Sequence, residues 1–384
     1  MHNRTIYVGA LDTLFFRNGK PFSSGSEVVG EGVFPPMPSV LHGALRSAYF
    51  AQRDEIFRSP AHVADASEGL TIKAYLLCKN QRELLFPCPL DLVVAKDESD
   101  ADAAMLEPNA YQAGVLTNHS PYLQLLRLEA ETPMTGTAGL ALNSAEIAAY
   151  LTGQNGAAYM PERVTNYTTA EPKTGIKRSD ETGTVARSHL YEATFIRPEN
   201  DGGEQIGIWS TVEAEWTGAL TPQGLLRFGG EGKVAAYQCD VDQCLPTAPT
   251  GENTQIKIYL STPAFFQGGW LPAGIDPTTG VGKWMGVKVT LKAAAVGKYL
   301  SVGGYDVAAN RPKPMRRLVP AGSVYYLQTA NAEDGRRLVQ ACHGYSVSDE
   351  ESNIQQPGAK LKTAVYDKQY YPHRGFGVAY CGVW

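Results

Sequence analysis

The sequence predicts an α+β fold, and three observations carry that reading. The first 95 residues run strand, helix, strand, strand, which is the opening of a ferredoxin-like, RRM-type domain. The second half is a succession of β-branched and aromatic segments with one amphipathic helix. With 39 glycines and 24 prolines in 384 residues, turns and loops are plentiful, and the length suffices for two or three domains.

Residues 5–16, TIYVGALDTLFF, are β-branched and aromatic and read as the first strand. RNGKPF (17–22) turns, and 23–34 is a small-residue loop. Residues 35–57 read as a helix entered through proline: Pro38 suits the first turn, where its missing N–H has no partner to lose. Val40, Leu41, Ala44, Leu45, Ala48 and Tyr49 then recur at helical spacing, and His42 and Arg46, four apart, share one face. Strands over 71–79 and 83–95 follow across a short polar turn.

From 96 to 165 the pattern weakens, and the stretch reads as an insertion. It holds the acidic run DESDAD (97–102) and a short helix over 143–153, with Ser144 to cap it and Gly153 to end it. Residues 166–197 form a basic, hydroxyl-rich stretch whose Ser-Asp-Glu-Thr-Gly centre predicts a long exposed hairpin. Strands are expected over 206–216, 225–228, 234–241, 255–262, 287–295 and 323–329, a helix over 335–344, and a glycine-punctuated strand in HRGFGVAYCGVW at 373–384. This order divides the chain into residues 1–205, carrying the insertion and the hairpin, and a second α+β domain, 206–384.

A net charge of −5 excludes a uniformly basic nucleic-acid coat, yet RPKPMRR (311–317) carries Arg311, Lys313, Arg316 and Arg317 without an acid. A local basic stripe binds phosphate, or meets a protein partner, even on an acidic surface. No signal peptide or apolar run of membrane-spanning length is visible, so a cytoplasmic protein without membrane contact is expected. The six cysteines are scattered. Only Cys239 and Cys244 are near neighbours and no second ligand pair follows, so no metal is expected and the thiols fit a reducing compartment.

The stretch LLRFGGEGKVAAY (225–237) places Gly229, Gly230, Gly232 and Lys233 after an apolar run. It is no P-loop, because Arg227 stands where the first glycine belongs and Val234 where Ser or Thr belongs. Gly230, Gly232 and Ala235 fit a relaxed dinucleotide fingerprint, but a strand rather than a helix follows. What remains is a glycine bulge between strands, a cradle for a polynucleotide backbone, or both.

Several stretches in fixed order resemble one family: FFRNGKPF, PPMPSVLHGALRSAYF, ELLFPCPLDLV, EPKTGIKRSDETGTVARSHLY, LLRFGGEGK, YLSTPAFFQGGWLP, SVGGYD, VPAGSVYY and GFGVAYCGVW. From residue 15 to the end, the chain resembles the third subunit of the type III-B (Cmr) CRISPR–Cas effector, a member of the RAMP superfamily. The resemblance implies two ferredoxin-like domains, a glycine-rich loop at Gly229, Gly230, Gly232 and Lys233, and a thumb hairpin over Glu171–Tyr191. It implies a non-catalytic role without cofactor. The subunit would hold the 5′ handle of the CRISPR RNA and join the large polymerase-like subunit to the backbone RAMP filament, meeting target RNA only indirectly.

Arg46, Lys173, Lys177, Arg178 and Arg187 join the glycine loop as candidate RNA contacts, guanidinium because its fork grips phosphate. In the hairpin, Asp180 and Glu181 offset part of that charge, and an ordinary solvated hairpin is the plainer alternative. His42 admits two readings. Related RAMP proteins that process CRISPR RNA use a histidine as general acid or base, so a metal-independent endoribonuclease is the competing function; otherwise His42 is a polar group packed on a helix surface. Trp270, Trp284 and Trp384 are read as anchors of loops onto the core rather than as base-stacking platforms.

Overall fold

Side-chain alternation sets the layers. Strand β1 (His2–Ala10) sends Ile6 and Val8 into one core and Tyr7 into another, so both faces of its sheet are covered. The computed structural model describes residues 2–17, 29–30, 32–51, 69–96, 102–109, 120, 122–153, 158–178, 185–306, 311–350 and 371–384, with the backbone alone at 29–30, 176–178, 185–191, 219 and 305–306. It is a mixed α+β fold, mostly antiparallel sheet with few helices.

After β1 come α1 (Pro38–Ala51), β2 (Thr71–Lys79), β3 (Glu83–Pro87), β4 (Leu140–Asn143), α2 (Ser144–Thr152), β5 (Glu162–Arg163), β6 (Thr169–Arg178) and β7 (Val185–Arg197). The chain continues through β8 (Ile206–Ala214), β9 (Gln223–Arg227), β10 (Val234–Cys239), β11 (Gln255–Leu260), β12 (Val281–Trp284) and β13 (Val287–Ala295). It ends with β14 (Val324–Thr329), α3 (Ala332–Cys342), β15 (Tyr345–Ser346) and β16 (Val378–Val383). One sheet runs β5-β4-β3-β2-β8-β1-β10-β9 and the other β12-β13-β14-β11-β16-β15. At the centre of each lie four antiparallel strands in the order fourth, first, third, second: β10-β1-β8-β2 and β16-β11-β14-β13.

Helix α1 covers the outer face of the first sheet with Leu41, Ala44 and Leu45, and α3 covers the outer face of the second with Leu338, Val339 and Cys342. Between the sheets lies a third core, where Tyr7, Leu76, Phe86 and Trp209 meet Tyr259, Tyr326 and Tyr380 together with Tyr150 of α2. Strand β11 shows the division clearly: Ile256, Ile258 and Leu260 face α3, while Lys257 and Tyr259 face inward.

The strand order goes beyond what the sequence announces, and one helix cap is corrected. Strands β8, β9 and β10 belong to the first sheet with β1, and sheet membership changes between residues 240 and 254. The neighbour of β1 is accordingly β8, and the hairpin β2–β3 lies beyond it. The helix over 144–152 is capped by Asn143, not Ser144. The Asn143 side chain accepts the Ala145 and Glu146 N–H groups, each at 3.0 Å, and Glu146 takes the Asn143 N–H at 2.9 Å. Within the stretch read as an insertion, Ala104–Met105 and Met134–Gly136 pair with Leu92–Ala95 in a small sheet of their own, and the Gln124 N–H donates to the Lys292 carbonyl of β13 at 2.7 Å.

Candidate nucleic-acid interface

The site is built around the part of the first apolar run that leaves the sheet. Strand β1 stops at Ala10, and residues 11–16 cross as a strap between the hairpin β6–β7 and the loop joining β9 to β10. Leu14 exchanges backbone hydrogen bonds with Ile196 at 2.7 and 2.8 Å. Phe15 accepts the Gly230 N–H at 2.8 Å, and Phe16 accepts the Val33 N–H at 2.8 Å. The rings follow the backbone: Phe15 packs on Phe195 with centroids 5.1 Å apart, and Phe16 packs edge-on against Phe228 at 5.2 Å.

The glycine loop is a hairpin turn closed by Phe228 N–H to Lys233 O at 2.9 Å and Lys233 N–H to Gly230 O at 3.2 Å. Gly229, Glu231 and Gly232 all lie in the left-handed region, at φ 93°, 53° and 67°. A Cβ on Gly229 would stand 2.6 Å from the Phe15 carbonyl oxygen. The close approach that Gly229 permits is therefore to the chain's own strap, and the strands on either side of the loop pair in continuous register, as a hairpin rather than a bulge.

Two candidate lysines 60 positions apart, Lys173 and Lys233, converge on one hydroxyl. Each Nζ donates to Thr13 Oγ1 at 2.9 Å, and each lies over the Phe195 ring, at 4.6 and 5.1 Å from its centroid. Thr13 is buried, whereas the Asp12 side chain is 54 % exposed and takes Lys233 Nζ at 3.0 Å and Arg197 Nη2 at 3.0 Å. Glu171 completes the group by accepting Arg197 Nε at 2.5 Å. The antiparallel register puts Glu171 opposite Phe195 and Lys173 opposite Ala193, so Lys173 reaches the Phe195 ring diagonally. The Asp12 carboxyl is held far below the usual carboxylate range, chiefly by the Lys233 hydrogen bond, then by the Thr13 backbone and Arg197.

Lys177, Arg178 and Arg187 have their backbones in β6 and β7, but their side chains lie outside the described residues, as do Asp180 and Glu181 altogether. Arg46 belongs to a second basic group, formed by α1 and the C-terminal turn. Its guanidinium lies 5.3 Å from the Phe50 ring centroid, and burial lowers its pKa. His42 of that group is pushed down to about 3, first by burial and then by Arg374 and Arg46, with a backbone hydrogen bond to Leu70 opposing and His373 adding to the effect. His373 Nδ1 meets Thr71 Oγ1 at 3.1 Å.

The segment 311–317 lies in a β-ribbon: Leu300–Val302 pairs with Arg316–Leu318, Tyr305–Asp306 pairs with Arg311–Pro312, and Arg317 covers the Tyr299 ring at 4.6 Å. Trp284 is buried against Phe266 and Tyr325, and Trp384 packs edge-on against Tyr326 while donating to the Leu327 carbonyl at 3.2 Å. Trp270 is 38 % exposed, and its carbonyl accepts the Tyr325 hydroxyl at 2.6 Å. Among the described residues no group of three or more His, Cys, Asp or Glu is placed to hold a metal, and no helix is long and apolar enough to cross a membrane.

The sequence missed Asp12, Thr13, Phe195 and Arg197. The one signal was Asp12-Thr13, a polar pair interrupting an apolar run that was read as a single strand.

No curated protein matches the chain. Two chains of solved structures share the fold. One, from a cryo-EM structure of the Type III-B Cmr-beta bound to cognate target RNA, has TM-score 0.50 and 16 % identity, over 84 % of this chain and 86 % of that one. Another, from the Type III-B Cmr-beta bound to cognate target RNA and AMPPnP, has TM-score 0.52 and 14 % identity, over 95 % and 93 %. A family model described as CRISPR-associated protein (Cas_Cmr3) matches residues 6–384, and so the chain belongs to that family and is a component of a Cmr effector.

Proposed function

We propose that the chain is a non-catalytic RNA-binding subunit of a type III-B Cmr effector. It holds the 5′ handle of the CRISPR RNA and joins the large polymerase-like subunit to the backbone RAMP filament. The observation that carries the RNA reading is the convergence of Lys173 and Lys233 beside the Phe195 ring, at the junction of the hairpin and the glycine loop. Phe195 is buried beneath the two ammonium groups, so what the group offers a single strand is cations for its phosphates. In this reading the two sheets are two ferredoxin-like units, supported by their shared central strand order, and β6–β7 is the thumb. Base pairing would read sequence, while the protein holds backbone.

Salt dependence tests the thumb. If Lys177 and Arg178 each meet a phosphate, replacing both with glutamine should flatten the slope of log affinity against log salt by about 1.4, nearly independently of RNA sequence. A thumb that meets only protein would weaken subunit assembly and leave the RNA slope unchanged.

The competing endoribonuclease would need His42 to exchange a proton near neutral pH. A group with a pKa of about 3 is neutral there and a weak base, which favours the non-catalytic reading. The purified chain is expected to leave CRISPR repeat RNA intact with or without divalent metal, and His42→Ala to behave the same. Specific cleavage by the parent chain that disappears in His42→Ala would overturn this.

A further inference from the structure

The seat at Thr13 is already filled, and what fills it has the charge and acceptor chemistry of a phosphate. Asp12 presents one carboxylate oxygen to Lys233 and the other to Arg197, each at 3.0 Å. A phosphodiester also offers two anionic oxygens to such donors. Thr13 Oγ1 accepts both lysine ammonium groups, each at 2.9 Å, and the Phe195 ring backs them with its negative face. Lys173, Lys233 and Arg197 bring three positive charges, and Asp12 and Glu171 bring two negative ones. Two like charges sharing one acceptor need a nearby anion. Asp12 supplies it from the exposed side, at 54 % exposure, whereas Glu171 at 31 % is held from the hairpin side by Arg197.

We propose that Lys233 and Arg197, with Lys173 beside them on Thr13 and Phe195, form a seat for one phosphodiester of single-stranded RNA, and that the Asp12 carboxylate occupies this seat until the RNA phosphate displaces it. The proposal rests on the RNA-binding reading above and adds a residue to it that opposes binding. Exchange is chemically balanced: one anion leaves Lys233 and Arg197 for water as another arrives, and Arg197 keeps Glu171. Because an exposed ion pair is weak, Asp12 can be displaced at modest cost. It nonetheless keeps Lys233 and Arg197 ordered and apart from the wrong anions until RNA arrives.

The test is the affinity of the full chain for a short single-stranded RNA in Asp12→Asn. The amide keeps the shape and removes the competing charge, so affinity should rise roughly threefold or more, the range set by one or two exposed pairs. Asp240→Asn is the control, since Asp240 is also exposed and pairs with Arg4 at 3.0 Å, so removing it changes net charge equally. Its affinity should stay near that of the parent. Asp12→Ser serves in place of Asp12→Asn should the amide variant fail to fold.

An Asp12→Asn affinity that is unchanged or lower, or matched by Asp240→Asn, overturns the displacement proposal. The Lys173→Gln/Lys233→Gln chain then separates the two levels. If it loses RNA affinity, the RNA reading stands and only the role of Asp12 falls. If it binds RNA as the parent does, or if the parent itself does not bind, the seat falls with it.

Discussion

Gly229→Ala is expected to lower the stability of the chain by roughly 2–4 kcal/mol, far more than the same change at Gly232. Both glycines have positive φ, 93° and 67°, where any L-residue meets its own backbone. That shared strain is worth about 1–2 kcal/mol. Only Gly229 adds a steric conflict, because its Cβ would lie 2.6 Å from the Phe15 carbonyl oxygen and 3.0 Å from the Phe16 ring, while Gly232 has nothing within 4 Å. Phe15 cannot retreat freely, since the same carbonyl accepts the Gly230 N–H and the neighbouring Leu14 is bonded to Ile196 on both sides. Relief would therefore require the loop to lift from the strap, separating Lys233 from Asp12 and Thr13. Chemical denaturation of the two variants against the parent measures the difference. Equal losses at both positions would mean that the loop does not dock on the strap in solution.

Local structure was legible where a segment's own residues decide it. Helix α2 and its closing Gly153 were legible although its cap is Asn143 rather than Ser144, and the helix expected over 335–344 is α3, which begins three residues earlier after the Asn331 cap. Strand pairing was not legible, because it depends on partners far along the chain. Nothing within 206–239 announces that its strands flank β1, and a boundary drawn from strand richness reads composition rather than hydrogen bonding. The candidate site divides in the same way. Lys173 and Lys233 were found from hairpin and glycine context, but their meeting at Thr13 depends on β1 ending at Ala10 and the strap passing between two remote loops. Of the glycines read as a bulge, a cradle for a ligand backbone, or both, Gly229 has its open side taken by Phe15, while Gly232 has nothing within 4 Å.

Asp91→Ala is expected to cost about 3–5 kcal/mol, the usual loss when one partner of a buried charged group is removed. Asp91 is fully buried between the sheets, where one carboxylate oxygen accepts Tyr150 and Tyr326 hydroxyls, each at 2.6 Å. Lys257 of β11, 1 % exposed, sits 3.6 Å from the Tyr150 ring centroid, so its charge is held by the ring and by the carboxylate beyond it. Burial pushes Asp91 above the usual carboxylate range, against the pull of Lys257 and the two tyrosines. Burial likewise lowers Lys257 to about 8, and Asp91 opposes that fall. The sign of the pH dependence follows. A lysine with a folded pKa of about 8 and an ordinary value of 10.5 makes the unfolded chain bind more protons between those limits. Stability from this group therefore rises as pH climbs from about 8 to about 10.5, by on the order of 3 kcal/mol in all. Lys257→Met lacks that rise, so the parent should gain on it steadily through this window. In Asp91→Asn the carboxylate no longer supports the ammonium, and the rise should begin below pH 8. The double variant Asp91→Asn/Lys257→Met removes both charges and should recover most of the loss, because its cost in either single change is the stranded partner. Urea titrations of the single and double variants at several pH values measure all of this. Additive losses, with no recovery in the double variant, would show that Asp91 and Lys257 are not energetically coupled.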